Sequence, residues 1–155
     1  MTQEDKELLL KDLCARLPYG VIALTEKGKG HVCDVNLTIF GAEIGVNVNP
    51  TARDTFNIND VKLYLFPLSS MNEEQLHELK YITDFRYNHN TLELVKWTET
   101  HKTLEFWLEE VPQYEVVEVF DWLNKNHFDY RGLIEKGLAI DATGLNIYQT
   151  PEEQL

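Results

Sequence analysis

Val61-Lys62-Leu63-Tyr64-Leu65-Phe66-Pro67-Leu68-Ser69-Ser70-Met71-Asn72-Glu73-Glu74-Gln75 is the stretch on which the fold turns. Val61, Leu63 and Leu65 alternate with Lys62, Tyr64 and Phe66, and that period of two with branched and aromatic residues predicts a strand. Pro67 has no backbone N–H to give to a ladder, so the strand ends there. Ser70 precedes Glu73 by the spacing of a capping box, and Asn72 precedes Gln75 by the same spacing, so a helix starts at one of the two. Glu73 and Glu74 suit the positive end of that helix. Strand, proline stop, cap and helix follow with no slack, which makes this joint set the angle between a sheet and a helix.

Toward the N-terminus the chain reads as strands. Thr55 to Ile58 is a short one, after a loop at Asn49 to Asp54. Ile44, Val46 and Val48 alternate with Gly45, Asn47 and Asn49. His31, Cys33, Val35, Leu37 and Ile39 alternate with Val32, Asp34, Asn36, Thr38 and Phe40, a half-buried pattern ended by Gly41-Ala42. Lys27-Gly28-Lys29-Gly30 is the turn that joins it to a first strand within Tyr19 to Glu26. Four or five short strands in about fifty residues predict a small twisted antiparallel sheet, of which an SH3-like partial barrel is one form. Before the sheet, Glu4 to Leu17 predicts an amphipathic helix with Leu9, Leu10, Leu13, Cys14 and Leu17 as its inward stripe. Thr2 stands three residues before Asp5 as a cap, Asp12 and Arg16 are an i,i+4 pair, and Pro18 ends the helix. Cys14, in the stripe, is read as a core residue.

Toward the C-terminus helices dominate. Asn72 to Ile82 is the second helix. Leu92 to Glu99 and Thr103 to Glu109 predict an inserted hairpin, with Trp97 and Trp107 on its arms. Tyr114 to His127 carries the strongest helical pattern, and Asp129 to Gly137 reads as a shorter helical piece before an irregular tail. The expectation is α+β: one domain over 1–155, with helix and sheet in about 1–70 and an acidic helical part in 71–155 that carries a hairpin at about 92–109.

The chain has 155 residues, 43% hydrophobic and 26% charged, the balance of a globular protein with a sizeable core. No run approaches the roughly 18 apolar residues of a membrane span. Leu8-Leu9-Leu10 is too short, and its flank too acidic, for a secretory leader, so the expected location is cytoplasmic. Cys14 and Cys33 do not make a disulfide framework. The net charge of −12 is uneven: residues 1–70 carry seven Lys/Arg against nine Asp/Glu, and residues 71–155 carry seven against seventeen. Such a body repels a phosphate backbone, so no nucleic-acid partner is expected. A basic protein partner is the expected counterpart of the acidic half.

The search for chemistry ends without a catalytic signature. His31 and Cys33 lie two apart on one strand, which is half a zinc site or a nucleophile beside a base, but no second close pair completes a structural metal site. Gly28-Lys29-Gly30 lacks the third glycine and the strand-to-helix setting of a phosphate loop. No catalytic residue, metal ligand set or cofactor is assigned. His127-Phe128-Asp129-Tyr130-Arg131-Gly132 is the densest mix of functional groups. It makes Asp129, Tyr130 and Arg131 candidate binding residues, against a structural reading in which they cap and pair locally. Trp97 and Trp107, with Trp122, are candidates for an aromatic contact patch.

Three stretches carry a resemblance. Lys11-Asp12-Leu13-Cys14-Ala15-Arg16-Leu17-Pro18-Tyr19-Gly20, Leu65-Phe66-Pro67-Leu68-Ser69-Ser70-Met71 and Asp121 to Ala139 together resemble a family of small uncharacterised proteins from gut anaerobic bacteria and their phages or prophages. The resemblance implies one compact domain joining the three stretches, and no activity. The favoured expectation is therefore a non-catalytic protein-interaction module of phage or mobile-element origin. The alternative is a small enzyme with a site near His31/Cys33 or Asp129/Arg131.

Overall fold

The computed structural model describes residues 1–83 and 113–149. The elements are α1 (Gln3–Arg16), β1 (Ile22–Thr25), β2 (Gly28–Thr38), β3 (Gly41–Asn49), β4 (Ala52–Asn57), β5 (Lys62–Pro67), α2 (Glu73–Thr83), α3 (Gln113–Lys125), β6 (Phe128–Asp129) and β7 (Ala139–Asp141). An N-terminal helix, an open mixed sheet and further helices make the fold α+β, as expected. The hairpin expected at about 92–109, with Trp97 and Trp107, lies outside the described residues. Among the described residues no helix is long and apolar enough to cross a membrane. Contacts cluster the chain into two compact units, Met1–Leu65 with Leu133–Leu155, and Phe66–Gly132.

In the first unit, the Thr2 hydroxyl accepts from the Asp5 amide while the Asp5 carboxylate accepts from the Thr2 amide, a complete capping box for α1. The inward face is Leu9, Asp12, Leu13 and Arg16, and Cys14 is exposed. The core reading of Cys14 is thus corrected. Leu10 and Leu17 pack against the core as the stripe predicts, and a paired Asp and Arg neutralise each other, so both can face inward beside it. Leu9 and Leu13 pack into a cluster with Val32, Ile44, Val46 and Leu63 of the sheet.

The strand order in this unit is β4-β3-β2-β1-β5, antiparallel throughout, with β7 pairing parallel to β5. The sheet is therefore mixed rather than purely antiparallel, because a segment read as helix and tail adds a strand. It stays open, yet coils enough for Lys27 Nζ, on the β1–β2 turn, to reach Asp54 on β4 at 2.5 Å. Cys33 is the extra residue of a bulge in β2: Val32 pairs with Val46 and Asp34 with Gly45. The bulge resets the alternation, so Val32 and Val35 both meet the core while Cys33 is exposed. Cys33 is not the core residue that strict alternation makes it.

In the second unit, α2 and α3 bury Leu76, Leu79, Val119 and Leu123. Trp122 stacks on Phe128 at 5.6 Å and gives its Nε1–H to Glu78 at 3.0 Å, so this tryptophan belongs to the core and not to an exposed patch. The cap of α2 is Asn72 with Gln75: each backbone amide gives to the other's side chain, at 3.0 and 2.8 Å. Ser70 instead gives its hydroxyl to Pro67 O at 2.7 Å. The helix read over Asp129 to Gly137 is absent; Phe128–Asp129 is a strand, parallel to Phe66–Pro67, and 133–137 are turns. His127, at φ 60, closes α3 where glycine is usual, and its carbonyl receives the Phe66 amide at 2.9 Å.

Candidate interaction surface

Two hairpin turns in the first unit are built alike. Thr25-Glu26-Lys27-Gly28 joins β1 to β2, and Thr38-Ile39-Phe40-Gly41 joins β2 to β3. In each, the threonine pairs with the glycine across the turn. The threonine hydroxyl accepts from the amide two residues on, at 3.2 Å from Lys27 and 3.1 Å from Phe40. It also donates to the glycine carbonyl, at 2.7 Å for Gly28 and 2.9 Å for Gly41. Gly28 and Gly41 have φ of 123° and 119°, a region that residues with a Cβ avoid. The closure itself uses no side chain of the two central residues.

What occupies those central positions differs sharply. The first turn carries Glu26-Lys27, and Lys27 reaches across to Asp54 on β4. The second carries Ile39 and Phe40, exposed at 93% and 88%. Leu37, at 70% exposure, adds to the same end. Beside this tip lies a cleft of about 460 Å³ whose apolar lining comes from Leu10, Leu37, Phe40, Ala42 and Ile58. Lys6 and Glu7 also line it, one charge of each sign. Sequence reasoning placed Ile39 and Phe40 inside a strand; the turn at 39–40 sits two residues earlier than Gly41-Ala42 implied. The repeated Thr-x-x-Gly spacing was the available signal.

The outer face of β2, β3 and β4 holds a second cluster. Arg53 gives Nε to Asp34 Oδ2, Nη2 to Asp34 Oδ1 at 2.6 Å, and Nη1 to the Thr55 hydroxyl at 2.8 Å. The pair crosses above Gly45, where any Cβ would overlap the Asp34 carboxylate and Arg53 Nε. Arg53 holds the Asp34 carboxyl below its usual range. Cys33 Sγ lies 3.6 Å from Asp34 Oδ2; burial, then the Asp34 charge, push its thiol up. His31 turns elsewhere, with Nδ1 3.1 Å from Gly20 O, beside a hollow of about 420 Å³ that Cys33 does not line. The two residues that sequence put together as nucleophile and base are thus given different partners, and a carboxylate beside a thiol opposes thiolate formation. Among the described residues no group of three or more His, Cys, Asp or Glu gathers as a metal site.

Asp129, Tyr130 and Arg131 do meet in the second unit. The Arg131 amide gives to Asp129 Oδ1 at 3.2 Å, and Arg131 Nη2 to the Tyr130 hydroxyl at 3.2 Å, with the guanidinium 4.9 Å from the Tyr130 ring centre. Tyr130 in turn gives its hydroxyl to Asn124 Oδ1 at 2.9 Å. Asp129 and Tyr130 are buried and Arg131 half-buried. These side chains serve one another and the end of α3. No family model, no curated protein and no solved structure matches the chain.

Proposed function

We propose that this chain is a non-catalytic protein-interaction module that makes contact through the β2–β3 tip. The observation that carries this reading is the contrast between the two turns. The same threonine–glycine closure holds Glu26-Lys27, with Lys27 on Asp54, in one turn and the exposed Ile39-Phe40 in the other, so closing the turn does not call for an apolar pair. Exposed apolar side chains cost solubility without a contact to cover them. The acidic residues after position 70, among them the exposed Glu73, Glu74, Glu118 and Asp121, add long-range attraction for a basic protein partner. The resemblance of three stretches to proteins of gut anaerobes and their phages puts such a module in a phage or mobile-element setting.

Affinity capture from a gut-anaerobe lysate at rising salt tests the reading, with wild type and the Ile39→Glu/Phe40→Lys double variant as baits. The expected result is a basic partner retained by wild type, released progressively by salt and held less well by the variant. A wild-type bait that retains no salt-sensitive basic partner counts against it.

A further inference from the structure

We propose that the tip and cleft of the first unit are filled by a second copy of this chain, in a two-fold contact that exchanges tips; this rests on the interaction reading above and names the occupant of the same surface. Three observations lead there. First, a protrusion and a receptacle lie side by side: Ile39 and Phe40 project, and the cleft of about 460 Å³ beside them is lined by Leu10, Leu37, Ala42 and Ile58. A patch that carries both halves of a fit is self-complementary, which is what an isologous interface needs. Second, Phe40 and Leu37 both line the cleft, so the projecting tip and the receptacle form one continuous apolar surface. Third, charge selects among occupants. The cleft offers a basic partner only Glu7, offset by Lys6. The first 70 residues as a whole are balanced to −2, against −10 for the rest. Two such faces meet without strong repulsion, so a second copy competes with a basic partner for the same tip.

Sedimentation velocity over roughly 1–200 µM reads a weak isologous contact directly. Wild type is expected to shift from monomer to dimer across this range. Added NaCl should leave the dimer unchanged or tighten it, because it screens the net −12 of each copy without opposing an apolar contact. The Ile39→Glu/Phe40→Lys variant copies the residues of the Thr25–Gly28 turn, so it keeps the far-ultraviolet circular dichroism and unfolding midpoint of wild type. It should associate roughly 100-fold more weakly. Phe40→Glu alone serves if the double variant loses its fold. Wild type that stays monomeric throughout overturns the proposal, as does a folded variant that dimerises like wild type or a dimer that salt dissociates. Monomeric wild type that still captures a basic partner leaves the interaction reading standing and removes only the second copy; a dimer that captures nothing does the reverse.

Discussion

Asp12 and Arg16 stand one turn apart on α1, joined at 2.7 and 3.1 Å, and neither side chain is exposed to solvent. Taking two charges out of water is costly, and their mutual attraction offsets that only while both are present. Arg16→Met or Asp12→Leu alone takes this counter-charge from a buried group and should lower unfolding stability by about 3–5 kcal/mol. The double change Asp12→Leu/Arg16→Met should recover most of that loss. Urea denaturation of the three variants measures it, and additive single losses in the double variant would contradict the pairing argument.

Asp34 and Arg53 form the contrasting, exposed pair, with side chains 41% and 45% accessible. Arg53 depresses the Asp34 carboxyl, so the pair contributes stability above the unfolded carboxylate value of about 3.9 and loses it as pH falls through the lower folded value. Arg53→Ala should move the Asp34 titration back up in a side-chain NMR experiment. Solvent screening keeps the stability change small.

Cys33 reports on the same cluster from another side. Partial desolvation of the sulfur first, and the Asp34 charge second, push its thiol up. Asp34→Asn removes the charge and should speed alkylation of Cys33 at mildly alkaline pH by several-fold, roughly the effect of one neighbouring charge near a protein surface. Mass spectrometry resolves the two sites, with exposed Cys14 as the internal reference. An unchanged Cys33 rate would mean that burial alone sets the thiol.

The start of α2 separates two caps that sequence cannot rank. Asn72 and Gln75 exchange hydrogen bonds, whereas Ser70 gives its hydroxyl to Pro67 O. Asn72→Ala should therefore cost about 1 kcal/mol, the usual value of an N-cap. Glu73→Ala should cost only a few tenths, through the helix dipole alone. Equal losses in chemical denaturation would restore the Ser70–Glu73 box.

Tyr148 closes a gap in the sheet. β1 and β5 pair at Ala23–Leu63 and Leu24–Lys62, so the next pair in register is Ile22 with Tyr64. There the Tyr148 hydroxyl intervenes, accepting from the Ile22 amide at 3.2 Å and donating to Tyr64 O at 2.6 Å. Tyr148→Phe leaves both backbone groups without that partner and should cost about 1–3 kcal/mol. Burial pushes the Tyr148 hydroxyl well above its usual range, partly opposed by the Ile22 amide. Because the folded value is raised, this contribution is complete below about pH 10, the unfolded value, and is lost as pH climbs toward the folded one. Wild type should lose stability above that pH more steeply than Tyr148→Phe, which thermal melts across the alkaline range measure.

Local pattern determined much of this protein. Alternation located β2, β3 and β5, proline ended β5, Thr2 and Asp5 capped α1, and the run from Tyr114 made α3, because each depends on neighbours within a few residues. Tertiary structure decided the rest. The leucine stripe of α1 was legible, but the burial of Asp12 and Arg16 beside it was not, since charge neutralisation is invisible to a hydrophobicity pattern. Phe128–Asp129 and Ala139–Asp141 are strands because β5 offers a parallel edge to each, a pairing that no local pattern encodes. One bulge at Cys33 moved its thiol from the core to the surface. The candidate surface was legible only as a repeated Thr-x-x-Gly spacing. Exposure of Ile39 and Phe40 needed the hairpin register, because a turn at 39–40 takes both side chains out of the strand and leaves them at the tip.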